Sequence, residues 1–90
     1  MASKITAYWL HAGTEFEVNG VYYPSFRGNA EEPPEEAWFD AERFAVGGVD
    51  ITELVRGYYI RRGDKFIPLW DQACIEITDD CEAGRMRRAA

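Results

Sequence analysis

Apolar and polar positions alternate with a period of two from Thr14 to Val18 and resume after Asn19-Gly20 through Val21, Tyr22 and Tyr23. An Asn-Gly pair between alternating segments supplies the positive φ angles of a type I′ turn, so the pattern predicts a hairpin with Val18 facing Val21 and Phe16 facing Tyr23. Pro24 limits further pairing, and Ile5 to Leu10 predicts an earlier strand of the same sheet. Between Gly28 and Glu36 the periodicity vanishes, and Pro33-Pro34 blocks helix and ladder alike, which predicts an exposed, extended loop. Ala37 to Val46 reads as a strand that Gly47-Gly48 turns back into Val49, Asp50 and Ile51, with Val46 facing Val49 and Phe44 facing Ile51. Continuing that ladder would set Glu42 against Glu53, so it should stop there. Asp50 and Glu53 have capping-box spacing, and Thr52 to Arg56 predicts one helical turn closed by Gly57.

A second hairpin is predicted over Tyr58 to Ile67, around Arg62-Gly63. The period then changes. Leu69, Trp70, Ala73, Cys74, Ile77 and Cys81 fall on one face at helical spacing, Pro68 suits a first turn, and Gly84 suits a stop, so a helix should run from about Pro68 to Ala83. The β-character of Cys74 to Thr78 leaves a strand as the competing reading. The expected fold class is α+β: a small antiparallel β-sheet of four to six strands, built from hairpins, with one C-terminal helix packed on it through Leu69, Trp70, Ala73, Cys74 and Ile77. The expected organisation is a single domain over 1–84 and a frayed basic tail over 85–90.

Composition supports one core. With 90 residues, 47% hydrophobic and 14% aromatic, the chain has the apolar surface to fold without a cofactor and is too short for two cores. No stretch approaches the roughly 18 apolar residues of a membrane span, and the N-terminus lacks the apolar core and cleavage site of a signal peptide, so a cytoplasmic protein is expected. In a helix Cys74 and Cys81 would lie roughly 10 Å apart, beyond disulfide reach, and they read as reduced core residues. With His11 as the single histidine, a zinc site would lack ligands, and no metal is expected.

The net charge of −6 is blocked rather than mixed. From Glu31 to Glu53, Glu31, Glu32, Glu35, Glu36, Asp40, Glu42, Asp50 and Glu53 stand against Arg43 alone, and Asp71 to Glu82 holds five acids and no basic residue. Arg56, Arg61, Arg62 and Lys65 lie between them. Such a balance argues against direct nucleic-acid binding, which needs a basic face, and permits a basic protein partner, including a protein that itself binds nucleic acid. Catalytic candidates are scarce. Ser3 and Ser25 are the only serines and neither has a nucleophile context, His11 reads as a loop residue, and the paired carboxylates sit where desolvation is not expected. The expectation is a non-enzymatic binding protein, monomeric or a small homo-oligomer. Its candidate binding residues are the acidic loop Glu31, Glu32, Glu35 and Glu36, and a second set of aromatics and arginines, Tyr58, Tyr59, Arg61 and Arg62. A merely solubilising loop and ordinary core packing are the competing accounts of the two sets.

Glu31 to Asp40 followed by Gly48 to Val55 resembles small accessory proteins of tailed bacteriophages and prophages, in which a Pro/acid-rich spacer precedes a strand and a Gly-Val-Asp-Ile-Thr segment. The resemblance spans under a third of the chain and carries no catalytic residue. It implies a protein that binds a host protein and inhibits or redirects it, as anti-CRISPR proteins do. A small structural or assembly component is the alternative.

Overall fold

A computed structural model describes residues 2–84, and the basic tail expected over 85–90 lies outside the described residues. The first two strands, β1 (Ser3–His11) and β2 (Thr14–Tyr23), are joined by the two-residue turn Ala12-Gly13, both at positive φ (51° and 82°). The turn expected at Asn19-Gly20 does not form, because both residues lie inside β2. A turn there would leave three residues before Pro24 to pair. Turning at Ala12-Gly13 instead aligns nine pairs, from His11 opposite Thr14 to Ser3 opposite Tyr22, and buries Ala7, Trp9, Phe16 and Val18 together. Phe16 therefore faces Trp9, and Val18 faces Ala7. Burial of a whole apolar face outweighs local turn preference.

The third strand, β3 (Trp38–Val46), pairs with β2, and its register slips at Asn19/Gly20, where Ala41 and Arg43 take the two partners and Glu42 is left over. This β-bulge shifts the side-chain alternation by one residue. Phe39 and Ala41 before it and Phe44 after it all reach the core. Gly47-Gly48, at φ 57° and 81°, then turns the chain into β4 (Val49–Asp50), where Val46 faces Val49 as expected. The Ile51 N–H donates to the Phe44 carbonyl, and the ladder ends before Glu42 and Glu53 could meet. A short helix, α1 (Thr52–Arg56), follows and closes at Gly57. The capping box is absent: Asp50 Oδ1 accepts from the Thr52 N–H and hydroxyl at 2.9 and 2.6 Å, one residue short of the spacing a box requires.

Strands β5 (Tyr59–Arg62) and β6 (Lys65–Pro68) form a separate two-stranded sheet across Gly63-Asp64, one residue later than expected. The C-terminal segment is helical, α2 (Leu69–Glu82), capped by Pro68 and Ala83 and followed by Gly84 at φ 71°. The fold is thus α+β, with a four-stranded antiparallel sheet in the order β1-β2-β3-β4, a β5–β6 hairpin and α2. Leu69, Ala73, Cys74 and Ile77 of α2 are buried with Trp9, Phe39, Phe44 and Val55, while Trp70 packs half-buried on Phe44 at 4.8 Å. Cys74 is buried and Cys81 half-buried, and neither forms a disulfide.

Because β4 spans two residues, no strand among the described residues lies on the far side of the first half of β3. Helix α2 covers that edge. The Phe39 N–H donates to Thr78 Oγ1 at 2.9 Å, and the Thr78 hydroxyl donates to the Cys74 carbonyl at 2.6 Å. Thr78 is therefore buried as a polar residue with both its functions satisfied.

Candidate functional site

The acidic loop is exposed but not extended. Asn29 Oδ1 accepts from the N–H groups of both Glu31 and Glu32 at 2.8 Å, and Phe26 and Glu35 exchange backbone hydrogen bonds at 2.9 and 2.8 Å. An Asx turn followed by a bridge folds the loop back on itself despite Pro33-Pro34. Gly28, at φ 84°, is needed there: a Cβ would sit 2.7 Å from the Pro34 nitrogen.

This closure carries Glu35 and Glu36 to the C-terminal half of α2. Together with Ser25, Trp38, Ile75, Thr78, Asp79 and Glu82 they line a shallow depression of about 390 Å³. Trp38 and Ile75 stay 44% and 45% exposed, and Tyr23, the β2 residue opposite Trp38, is 46% exposed. Glu35, Glu36, Asp79 and Glu82 add four carboxylates to the same lining. Glu31 and Glu32 remain on the loop outside it. The sequence pointed to the acids of the loop, but not to Ile75, Asp79 and Glu82. These belong to a helix some forty residues away, and the signal available was the pair of acids, Asp79 and Glu82, on the helix side away from Cys74 and Ile77.

The second candidate set is dispersed. Tyr58 accepts the Leu69 N–H at 2.9 Å through its carbonyl, and it lines an apolar cleft of about 280 Å³ with His11, Phe16, Leu54 and Leu69. Tyr59 lies exposed opposite Pro68, and Arg61 lies opposite exposed Phe66 with its Nε donating to the Gly63 carbonyl at 2.9 Å. Arg62 has an internal partner: its Nη1 donates to Gln72 Oε1 at 2.7 Å. Gln72 in turn donates to Glu76, which also accepts the Trp9 indole N–H at 3.1 Å. The chain Arg62–Gln72–Glu76–Trp9 satisfies the buried Gln72 and ties the hairpin to α2 and β1. Tyr58 sits at the start of α2 and Glu35 and Glu36 sit near Thr78 to Glu82, roughly 14–20 Å along the helix at 1.5 Å per residue. The two sets therefore lie apart.

His11 stacks on Trp9 with ring centroids 4.8 Å apart. Among the described residues no group of three or more His, Cys, Asp and Glu side chains could hold a metal ion, and no helix is long and apolar enough to cross a membrane. The arrangement with the most defined chemistry is the acid-rimmed depression, which can bury an apolar side chain flanked by lysines or arginines. The chain matches no family model, no curated protein and no solved structure.

Proposed function

We propose that this chain is a non-catalytic protein-binding modulator that holds a basic segment of another protein on the depression around Trp38 and Ile75. One observation carries the reading: a half-exposed tryptophan and isoleucine line one depression together with four carboxylates. Aromatic anchors at the centre of a patch supply most of the binding energy in protein interfaces, and the charged rim governs the approach of the partner and the choice among partners. A purely solubilising acidic loop would not need to close against Ile75 of the helix. Basic segments of this kind occur on nucleic-acid-binding proteins, and a carboxylate ring can occupy them as phosphates do. The reading agrees with the host-directed role implied by the resemblance to phage accessory proteins. It assigns no catalytic residue, and reduced Cys74 and Cys81 suit the cytoplasm.

The test is co-purification from bacterial lysate with wild type, Trp38→Ala, and the combined Glu35→Gln, Glu36→Gln, Asp79→Asn, Glu82→Asn variant. Trp38→Ala should lose the captured protein through faster dissociation. The charge variant should associate more slowly and lose most of its salt dependence, because such steering is screened beyond about 10 Å at 0.1 M salt. Equal capture by all three proteins would refute the assignment. A second reading, a self-associating assembly protein, is favoured by the open outer edge of β1.

A further inference from the structure

We infer that β1 is a self-pairing edge, through which two copies of this chain join antiparallel into one continuous eight-stranded sheet. The inference does not rest on the Trp38 depression, which lies at the other side of the sheet. The four-stranded sheet has two margins, and the fold treats them differently. The β3 margin is closed by β4 and by the Thr78 side chain of α2, whereas no strand among the described residues pairs with the outer edge of β1.

The hairpin determines which groups that edge presents. In a two-residue hairpin the residues flanking the turn exchange both backbone bonds, and bonded and non-bonded pairs then alternate. Starting from His11 opposite Thr14, the bonded positions of β1 are His11, Trp9, Ala7, Ile5 and Ser3. The N–H and C=O groups of Lys4, Thr6, Tyr8 and Leu10 therefore point away from β2. The positions bonded to β2 are also those whose side chains face the core, since Ala7 and Trp9 are buried while Lys4 and Leu10 are exposed. The edge is nine residues long, or about 30 Å at 3.4 Å per residue. It contains no proline, glycine, aspartate or glutamate, and one lysine, Lys4. Exposed edges are ordinarily blunted by prolines, bulges, inward-facing charges or short length. Here only Lys4 serves.

The strand is also complementary to itself. With the two-fold axis at Ala7, Thr6 of one copy lies opposite Tyr8 of the other, and Lys4 opposite Leu10, so that all four outward-facing positions form bonded pairs. On the core side Trp9 comes opposite Ile5, which joins the two cores, and no like charges are directly opposed. The contact is isologous and closes at two copies, because the far margin of each sheet ends in the two-residue β4 and in α2. The two chains carry −6 each, but the seam itself holds only Lys4. Added salt should then strengthen self-association by screening the repulsion, the opposite sign to that expected for a basic partner.

The test combines light scattering from micromolar to millimolar protein with residue-resolved amide exchange. Mass should rise from 10.3 kDa toward twice that value, more readily at higher salt. In step with it the amides of Lys4, Thr6, Tyr8 and Leu10 should gain at least tenfold protection, while those of Ile5, Ala7 and Trp9 stay protected throughout. Tyr8→Pro removes an outward donor and Tyr8→Lys places a charge beside the axis; either should abolish the dimer while leaving denaturation cooperative. If Tyr8→Pro does not fold, Tyr8→Lys and the wild-type exchange pattern still decide. A monomer at millimolar concentration, a dimer whose four outward amides exchange freely, or a folded Tyr8 variant that dimerises like wild type would each overturn the inference. Trp38→Ala should leave dimerisation unchanged, which separates this result from the fate of the binding depression.

Discussion

Replacing Gly20 by alanine tests the central feature of the sheet. A Cβ on Gly20 would lie 2.3 Å from the Asp40 carbonyl oxygen, 2.7 Å from Phe39 Cζ and 3.0 Å from Ala41 Cα. Two of these atoms are backbone of the neighbouring strand, and Phe39 is fully buried, so none can swing aside. Relief requires β3 to retreat by about 1 Å across the bulge, which is overpacking at about 1–3 kcal/mol plus weakening of one or two ladder bonds at about 0.5–1.5 kcal/mol each. We expect Gly20→Ala to cost about 2–4 kcal/mol. At roughly 4–8 °C per kcal/mol for a domain of this size, Tm should fall by at least about 8 °C. Urea and thermal denaturation followed by tryptophan fluorescence provide the assay. Asparagine sharpens it, because Asn is accepted where φ is positive but is larger than alanine where space is short. Gly13→Asn, at φ 82° with nothing within 4 Å of its Cβ, should be mild, and Gly20→Asn should be at least as damaging as Gly20→Ala. If Gly20→Ala lies within about 0.5 kcal/mol of wild type, or if Gly13 rather than Gly20 proves intolerant of asparagine, then the close approach of β2 and β3 is wrong and the Asn19-Gly20 turn must be reconsidered.

Thr78→Val should destabilise by about 1–3 kcal/mol, because it strands the buried Phe39 N–H without an acceptor, and Thr78→Ser should recover most of the loss in the same urea titration. Asp50 is held at a pKa of about 2, below its ordinary 3.8, first by the Thr52 hydroxyl, then by the Thr52 N–H and Arg43. Its contribution to stability is therefore complete above about pH 4 and fades as pH falls toward 2; denaturation midpoints measured across that window should show a smaller acid-dependent drop in Asp50→Asn. In native protein Cys81, half-buried, should react with a thiol reagent well before Cys74, whose thiol is buried and pushed to a higher pKa by that burial. Equal fast labelling of both would place α2 elsewhere.

Much of the architecture was legible because it rests on local chemistry. The apolar spacing of Leu69, Ala73, Cys74 and Ile77 marks α2, which forms over 69–82, and Gly47-Gly48 and Gly57 mark a turn and a helix stop that need no distant partner. The acid-lined depression was half legible: Glu35 and Glu36 stand out by charge, but Ile75, Asp79 and Glu82 join them only because Asn29 and the Phe26–Glu35 bridge fold the loop against α2. Likewise Arg62 reads as a surface arginine until Gln72 is found buried beneath it.

Asn19-Gly20 marks the boundary between the two kinds of information. Locally that pair is a turn, and by local preference the hairpin belongs there. The chain turns at Ala12-Gly13 instead, because only that choice pairs all of β1 with β2 and leaves β2 long enough to receive β3 across the bulge at Glu42. Turn preference amounts to about 1 kcal/mol at each position, whereas placing Trp9, Phe16, Val18 and Phe39 on one buried face contributes about 1.5–3 kcal/mol for each large side chain. The sequence by itself determined the α+β class, the helix, the later glycine turn and the segregation of charge, all of which follow from neighbours along the chain. Tertiary structure alone decided the first turn, the role of Gly20, the covering of the β3 edge by Thr78 and the open edge of β1, since each depends on which strand lies beside which.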